Sequence, residues 1–206
     1  MSFWTQEKYE KFIVAIKDKP QSFYAFEILY WCRLRMGELL ALTKEKFDFN
    51  TNTLKVDESL QKIDGENIIT PPKTKKSIRK IVMPDFLAEE IQNYLDGFYK
   101  LKPKDLIFTF SKSYLHHEMD RGAKKANVKR IRVHDLRHSH VSLLIELGFS
   151  ATAIADRVRH ESIDITYRYA HLYPSKQNEM ADSLTQVRVK TQNNWEDLLK
   201  EDEENV

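Results

Sequence analysis

The sequence predicts a mainly α-helical domain carrying a small three-stranded antiparallel β-sheet, an α+β class. Apolar residues recur at helical spacing in two blocks, Tyr9 to Leu42 and Phe86 onward. Between the blocks lie short alternating or β-branched segments separated by turn residues. A composition that is 41% hydrophobic and 11% aromatic, with five glycines and six prolines, supports one real core and leaves little room for low-complexity linker.

Thr5-Gln6-Glu7 followed by Tyr9, Phe12, Ile13 and Ile16 predicts a capped amphipathic helix ending near Lys19-Pro20. A second, more buried helix runs from Gln21 to Arg35, with aromatics at 23, 24, 26, 30 and 31. Gly37 and Glu38 to Leu42 predict a short helical turn that delivers Arg35 at its start. Phe47-Asp48-Phe49, Leu54-Lys55-Val56 and Ile78 to Met83 then read as the three strands, separated by Asn50 to Thr53, Asp64-Gly65 and Pro71-Pro72. After Pro84 the helical period returns in Phe86 to Tyr99, Tyr114 to Ala126, His134 to Leu147, Ala151 to Val158, Ile163 to Tyr169 and Ser175 to Val187. Residues 1–187 are expected to form one domain, the catalytic one in the resemblance given below. Residues 188–206 are expected to form an acidic C-terminal tail, either frayed or a helix packing on a neighbouring subunit.

Cys32 is the one cysteine, which rules out an intramolecular disulfide or a zinc ribbon and suits a buried residue in a reducing compartment. With no membrane-length apolar run and no apolar leader, a cytoplasmic protein away from the membrane is expected. The net charge of +2 conceals a strong division: residues 196–206 carry −5 and the remainder +7. Five bases lie in Lys73 to Lys80, and seven bases with one acid, Asp135, in Arg121 to Arg137. Two such clusters point to a phosphate-binding face, with Lys75, Lys76, Arg79, Lys124, Lys125, Arg130 and Arg132 as candidate DNA contacts.

Opening a DNA strand reversibly requires a nucleophile whose phosphoester leaves readily when a DNA hydroxyl attacks, and a tyrosine phenolate meets that need. The charge that builds on the non-bridging oxygens suits two bidentate guanidiniums, for which Arg35 and Arg137 are the candidates. The departing 5′ oxygen calls for a general acid such as lysine. His134 and Arg137, three apart, share a helix face, and Asp135 at the start of that helix complements its dipole.

Leu34-Arg35-Met36-Gly37-Glu38-Leu39-Leu40, Pro72-Lys73-Thr74-Lys75, His134-Asp135-Leu136-Arg137-His138-Ser139, and His160 followed nine residues later by Tyr169-Ala170-His171 occur in this order. From Phe3 to about Met180 the chain thereby resembles the catalytic domain of the tyrosine recombinases, the phage integrase family. The resemblance implies that fold and a site-specific recombinase that integrates and excises a mobile element through a 3′-phosphotyrosine. It implies Arg35, Arg137 and His160 on the scissile phosphate and Lys73 as general acid, with Lys75 or Lys76 as alternatives. His134 would assist proton transfer, Tyr169 would be the nucleophile in preference to Tyr167 or Tyr173, and Glu38 would be the supporting carboxylate. No cofactor or metal is implied. The implied partners are double-stranded attachment sites, a tetramer on DNA formed from monomers in isolation, and an accessory directionality factor. The family's preceding DNA-binding domain is expected to lie outside the chain, leaving a catalytic fragment that clamps DNA weakly and with shallow salt dependence.

Arg33 and Arg159 stand where the family usually has glycine, and each either adds a phosphate contact or crowds the site. Three rival readings remain. A zinc hydrolase would use His134 and His138 at helical spacing, against which Asp135 and Arg137 count. A type IB topoisomerase would use similar chemistry, and a catalytically silent DNA-binding module would keep only the basic face.

Overall fold

Tyr9, Phe12 and Ile13 fall on one face of helix α1 (Gln6–Ala15) and are buried there. In the computed structural model, which describes residues 2–72, 78–158 and 181–188, this face packs on α2 (Pro20–Trp31) and α5 (Lys112–Lys125). Thr5 occupies the N-cap by backbone conformation, but its hydroxyl caps nothing. Pro20 sits at the start of α2, where its missing N–H costs nothing. This helix is apolar around most of its circumference, and accordingly packs against α1, α4 (Asp85–Asp96) and α6 (Leu136–Glu146). At the centre, Trp4 lies 4.9 Å from Phe12, and Tyr9 stacks on Tyr30 at 3.6 Å. The Trp4 backbone N–H donates to Ser139 Oγ (2.9 Å) and its indole N–H to the Lys129 carbonyl (2.7 Å), fastening the N-terminal segment to the far half of the chain. Cys32 is 3% exposed, and burial pushes its thiol up to about 12.

The predicted sheet is present, with order β1-β2-β5: β1 (Phe47–Asp48), β2 (Thr53–Val56) and β5 (Arg79–Val82), all antiparallel. A second sheet, the hairpin of β3 (Ser59–Ile63) and β4 (Glu66–Thr70), was not anticipated. Its turn is Asp64-Gly65, with φ of 50° and 90°, the two left-handed residues that a tight hairpin requires. β3 packs against the short helix α3 (Met36–Leu39), which places the hairpin beside the segment that carries Arg35.

Helix α2 stops at Trp31, short of the predicted Arg35, because Arg33 has φ 53° and no helix continues through a left-handed residue. His134 and Asp135 lie in a 3-10 turn (Val133–Asp135) that leads into α6. Helix α7 covers Ala151–Val158, the predicted span. The chain divides into two compact units, 1–169 and 170–206, of which the second is described only as helix over 181–188. Among the described residues no helix is long and apolar enough to cross a membrane.

Candidate active site

The backbone reversal at Arg33 does two things. It releases the chain from α2 so that Arg35 becomes the N-cap of α3, and it turns the Arg33 carbonyl toward α6, where it accepts from Arg137 Nη1. A left-handed φ is the conformation that favours glycine, which accounts for the glycine expected at this position.

Glu38 organises the surroundings. Only 6% exposed, its carboxylate accepts the Arg35 backbone N–H (2.8 Å) and Arg35 Nη1 (3.2 Å). It also accepts both terminal nitrogens of Arg79, at 3.0 and 2.8 Å, from the first residue of β5. Burial alone would raise the Glu38 pKa. The Arg79 hydrogen bonds and charge, the Arg35 N–H and the Arg137 charge outweigh it and bring it down to about 2. Arg79, expected on the DNA-binding face, is therefore turned inward: its side chain is 10% exposed and paired to a buried carboxylate.

Arg137, in the first turn of α6, is 7% exposed, whereas the Arg35 side chain is 57% exposed. Burial, then the charges of Arg33 and Arg35, lowers the Arg137 pKa, with Glu38 acting in the opposite direction. An arginine begins so far above neutrality that it stays charged. Among the described residues one carboxylate thus stands among Arg33, Arg35, Arg79 and Arg137, an excess of positive charge that a phosphate group would neutralise.

A second carboxylate repeats the local device. Asp135 accepts the Arg132 backbone N–H (3.1 Å) and its guanidinium (2.8 Å), fixing the turn that presents His134. His134 is exposed, 5.8 Å from His138 between ring centres. Its pKa is lowered by partial burial first and by Arg137 next, so the ring is neutral at pH 7 and able to accept a proton. Burial likewise brings His138 down to about 4 and His140 to about 3. Among the described residues no three His, Cys, Asp or Glu side chains converge as metal ligands would.

The structure therefore brings Arg35, Glu38 and Arg137 together, with His134 one turn before Arg137. Lys73, Lys75, Lys76, Arg159, His160, Tyr167, Tyr169 and Tyr173 lie outside the described residues. Of the remaining candidate DNA contacts, Lys124 is exposed, while Lys125 pairs with Asp18, Arg130 with Asp120 and Arg132 with Asp135.

A family model described as the phage integrase family matches residues 2–176. The ICEBs1 integrase of Bacillus subtilis strain 168 is 33% identical over 199 residues, covering 89% of this chain and 54% of that protein. The integrase of Staphylococcus phage L54a is 26% identical over 181 residues, covering 79% and 51% respectively. The chain thus spans about half the length of these relatives. Among solved structures, the Tn1549 transposon integrase in complex with circular intermediate DNA aligns over 90% of this chain and 66% of its own, with TM-score 0.69 and 22% identity. The catalytic domain of bacteriophage HP1 integrase aligns over 89% and 94%, with TM-score 0.61 and 16% identity. These likenesses place the fold among tyrosine recombinase catalytic domains.

Proposed function

The chain belongs to the phage integrase family, and we propose that it cuts and rejoins DNA at specific sites through a 3′-phosphotyrosine, integrating and excising a mobile element. The observation that carries this reading is the guanidinium excess around one carboxylate among the described residues. Glu38 is held by both terminal nitrogens of Arg79 and by a single guanidinium bond from the half-exposed Arg35, so Arg35 and Arg137 together carry more positive charge than Glu38 balances, available to a scissile phosphate. In the proposed step the Tyr169 phenolic oxygen attacks phosphorus, forming the Tyr–O–P bond as the bond to the sugar 5′ oxygen breaks. The phenolic proton passes toward neutral His134, and Lys73, or Lys75 in its stead, protonates the 5′ oxygen. Arg35, Arg137 and His160 hold the non-bridging oxygens. Rejoining reverses the step with a new 5′ hydroxyl. A tetramer on paired attachment sites, served by a directionality factor and acting in the cytoplasm, belongs to the same proposal.

The test uses nicked duplexes carrying the element's own attachment-site core, incubated in EDTA with wild type and Tyr169→Phe. The nick lets the short 5′-hydroxyl strand diffuse away, so the covalent intermediate accumulates. We expect a chelator-resistant adduct that maps to Tyr169 and is lost in the Phe variant. No adduct despite DNA binding, with the family's preceding DNA-binding domain appended, would leave a silent binding module. Cleavage that EDTA abolishes would favour a metal hydrolase instead.

A further inference from the structure

We propose that Arg79 is a positioning residue of the cleavage site and not a DNA contact: it holds Glu38, and Glu38 holds Arg35. This rests on the recombinase reading above.

Arg79 reaches Glu38 with both terminal nitrogens, Nη1 to Oε1 at 3.0 Å and Nη2 to Oε2 at 2.8 Å, the fork-on-fork geometry of a strong arginine–carboxylate pair. The same two oxygens serve Arg35: Oε2 accepts its backbone N–H at 2.8 Å and Oε1 its guanidinium at 3.2 Å. The two arginines differ in access. Arg79 is 10% exposed at the side chain, and Arg35 is 57% exposed. The buried guanidinium neutralises the buried carboxylate, and the exposed one keeps its charge for a ligand. Without Arg79, Glu38 keeps one guanidinium bond, from Arg35, and has two ways to make up the loss: it draws the Arg35 or Arg137 guanidinium in more closely, or it takes up a proton. The first withdraws a cation from the phosphate, and the second weakens the hold on the Arg35 turn.

The sheet register gives the pair a further role. Arg79 faces Val56 across β2 and β5, and β5 follows the segment 73–77 that carries Lys73. Because Glu38 lies in α3, the ion pair ties the strand after Lys73 to the turn that presents Arg35. A guanidinium spans both carboxylate oxygens in one plane, and an ammonium cannot.

The experiment compares wild type, Arg79→Gln, Arg79→Lys and the double variant Glu38→Gln/Arg79→Gln on the nicked duplex described above. Three quantities are read: the adduct rate at saturating DNA, the salt dependence of DNA binding, and thermal unfolding. For Arg79→Gln we expect a rate at saturation lower by roughly 100-fold, the size of a misplaced reacting group, with the salt slope unchanged. Arg79→Lys should recover part of that rate. Should Arg79→Gln fail to fold because buried Glu38 is left with the Arg35 guanidinium alone, the double variant carries the test, having lost both charges of the buried pair; it should fold, bind with the wild-type slope and cleave slowly.

A salt slope shallower by about 0.9 with an unchanged rate at saturation would make Arg79 a phosphate contact and overturn the inference. A wild-type rate in the double variant, with only the melting temperature lowered, would reduce the pair to a structural one and overturn it equally. If wild type itself forms no adduct, the recombinase reading falls and takes the inference with it, an outcome distinct from either.

Discussion

Glu27 and Glu38 are the same residue type at nearly the same burial, 5% and 6% exposed, yet their carboxyls titrate in opposite directions. Burial pushes Glu27 up to about 7, since its partners are neutral donors, Tyr9 Oη at 2.7 Å and Trp31 Nε1 at 3.1 Å. At Glu38 the same burial is overcome by the Arg79 guanidinium, which brings the pKa down to about 2. The charge of the partner decides the sign. For Glu38 the native state favours the ionised form, so its stabilisation is present above pH 4.5 and lost as pH falls toward 2. For Glu27 the native state favours the protonated form, so its contribution is full below about pH 4.5 and lost as pH rises through 7. That loss is on the order of 3 kcal/mol. Glutamine mimics the protonated acid here: its carbonyl accepts from Trp31, and its amide donates to Tyr9 Oη, which passes its own proton to the Phe26 carbonyl at 3.2 Å. Urea unfolding should therefore find Glu27→Gln more stable than wild type at pH 8 and equal to it at pH 4.5. A difference of the same size at both pH values would exclude this titration.

At the scale of elements, two glycines mark places where backbones meet. A Cβ on Gly122 in α5 would lie 2.5 Å from both Phe12 and Ile16, whereas one on Gly37 in α3 would lie 2.5 Å from Ser59 Oγ and 2.8 Å from the Leu60 carbonyl. Alanine at either should cost about 1–3 kcal/mol through overpacking. The consequences for cleavage should differ. Gly122→Ala strains a contact that holds no site residue, so the adduct rate per folded molecule should stay at the wild-type value. Gly37→Ala pushes α3 off β3 between Arg35 and Glu38 and should lower that rate as well; equal rates in the two variants would show that the α3–β3 contact does not position the site. Helices α1, α2 and α4 to α7 and the three-stranded sheet were legible because their apolar faces are buried and therefore written as periodicity, whereas the predicted helix Ile163 to Tyr169 lies outside the described residues. The β3–β4 hairpin was not, since Ile63, Ile68 and Ile69 are about 40% exposed and bury no face that would impose alternation. Its one signal was Asp64-Gly65, read as a separator when it was the turn itself. Arg35, Glu38, His134 and Arg137 stood out through the ordered motifs of the resemblance, and the structure brings Arg35, Glu38 and Arg137 together; the pairing of Arg79 depends on strand register and on a carboxylate 41 residues away.

Across the first unit, charge counted along the sequence differs from charge available to DNA. Of the seven bases from Arg121 to Arg137, four are engaged by carboxylates: Arg121 by Asp18 (3.0 Å) and Glu118 (2.8 Å), Lys125 by Asp18, Arg130 by Asp120, and Arg132 by Asp135. Glu118, 3% exposed, also accepts Lys19 (2.7 Å) and Ser22 (3.0 Å), so Arg121 belongs to a partly buried network that joins α5 to the start of α2. Lys124 and Lys129 are exposed and form no ion pair among the described residues. A phosphate that binds an unpaired lysine adds a charge contact and releases counterions, whereas one that binds Arg121 must first displace a carboxylate. Titrations of attachment-site DNA across a range of salt concentrations should separate the two classes. Lys124→Ala and Lys129→Ala should each reduce the slope of log affinity against log salt by up to about 0.9, with the melting temperature unchanged. Arg121→Ala should leave that slope alone and lower the melting temperature, because Glu118 is left with Lys19 as its one cation among the described residues. If Arg121→Ala flattens the slope as much as the lysine variants do, the Asp18 and Glu118 pairs yield to DNA, and the whole basic run acts as a single phosphate-binding face.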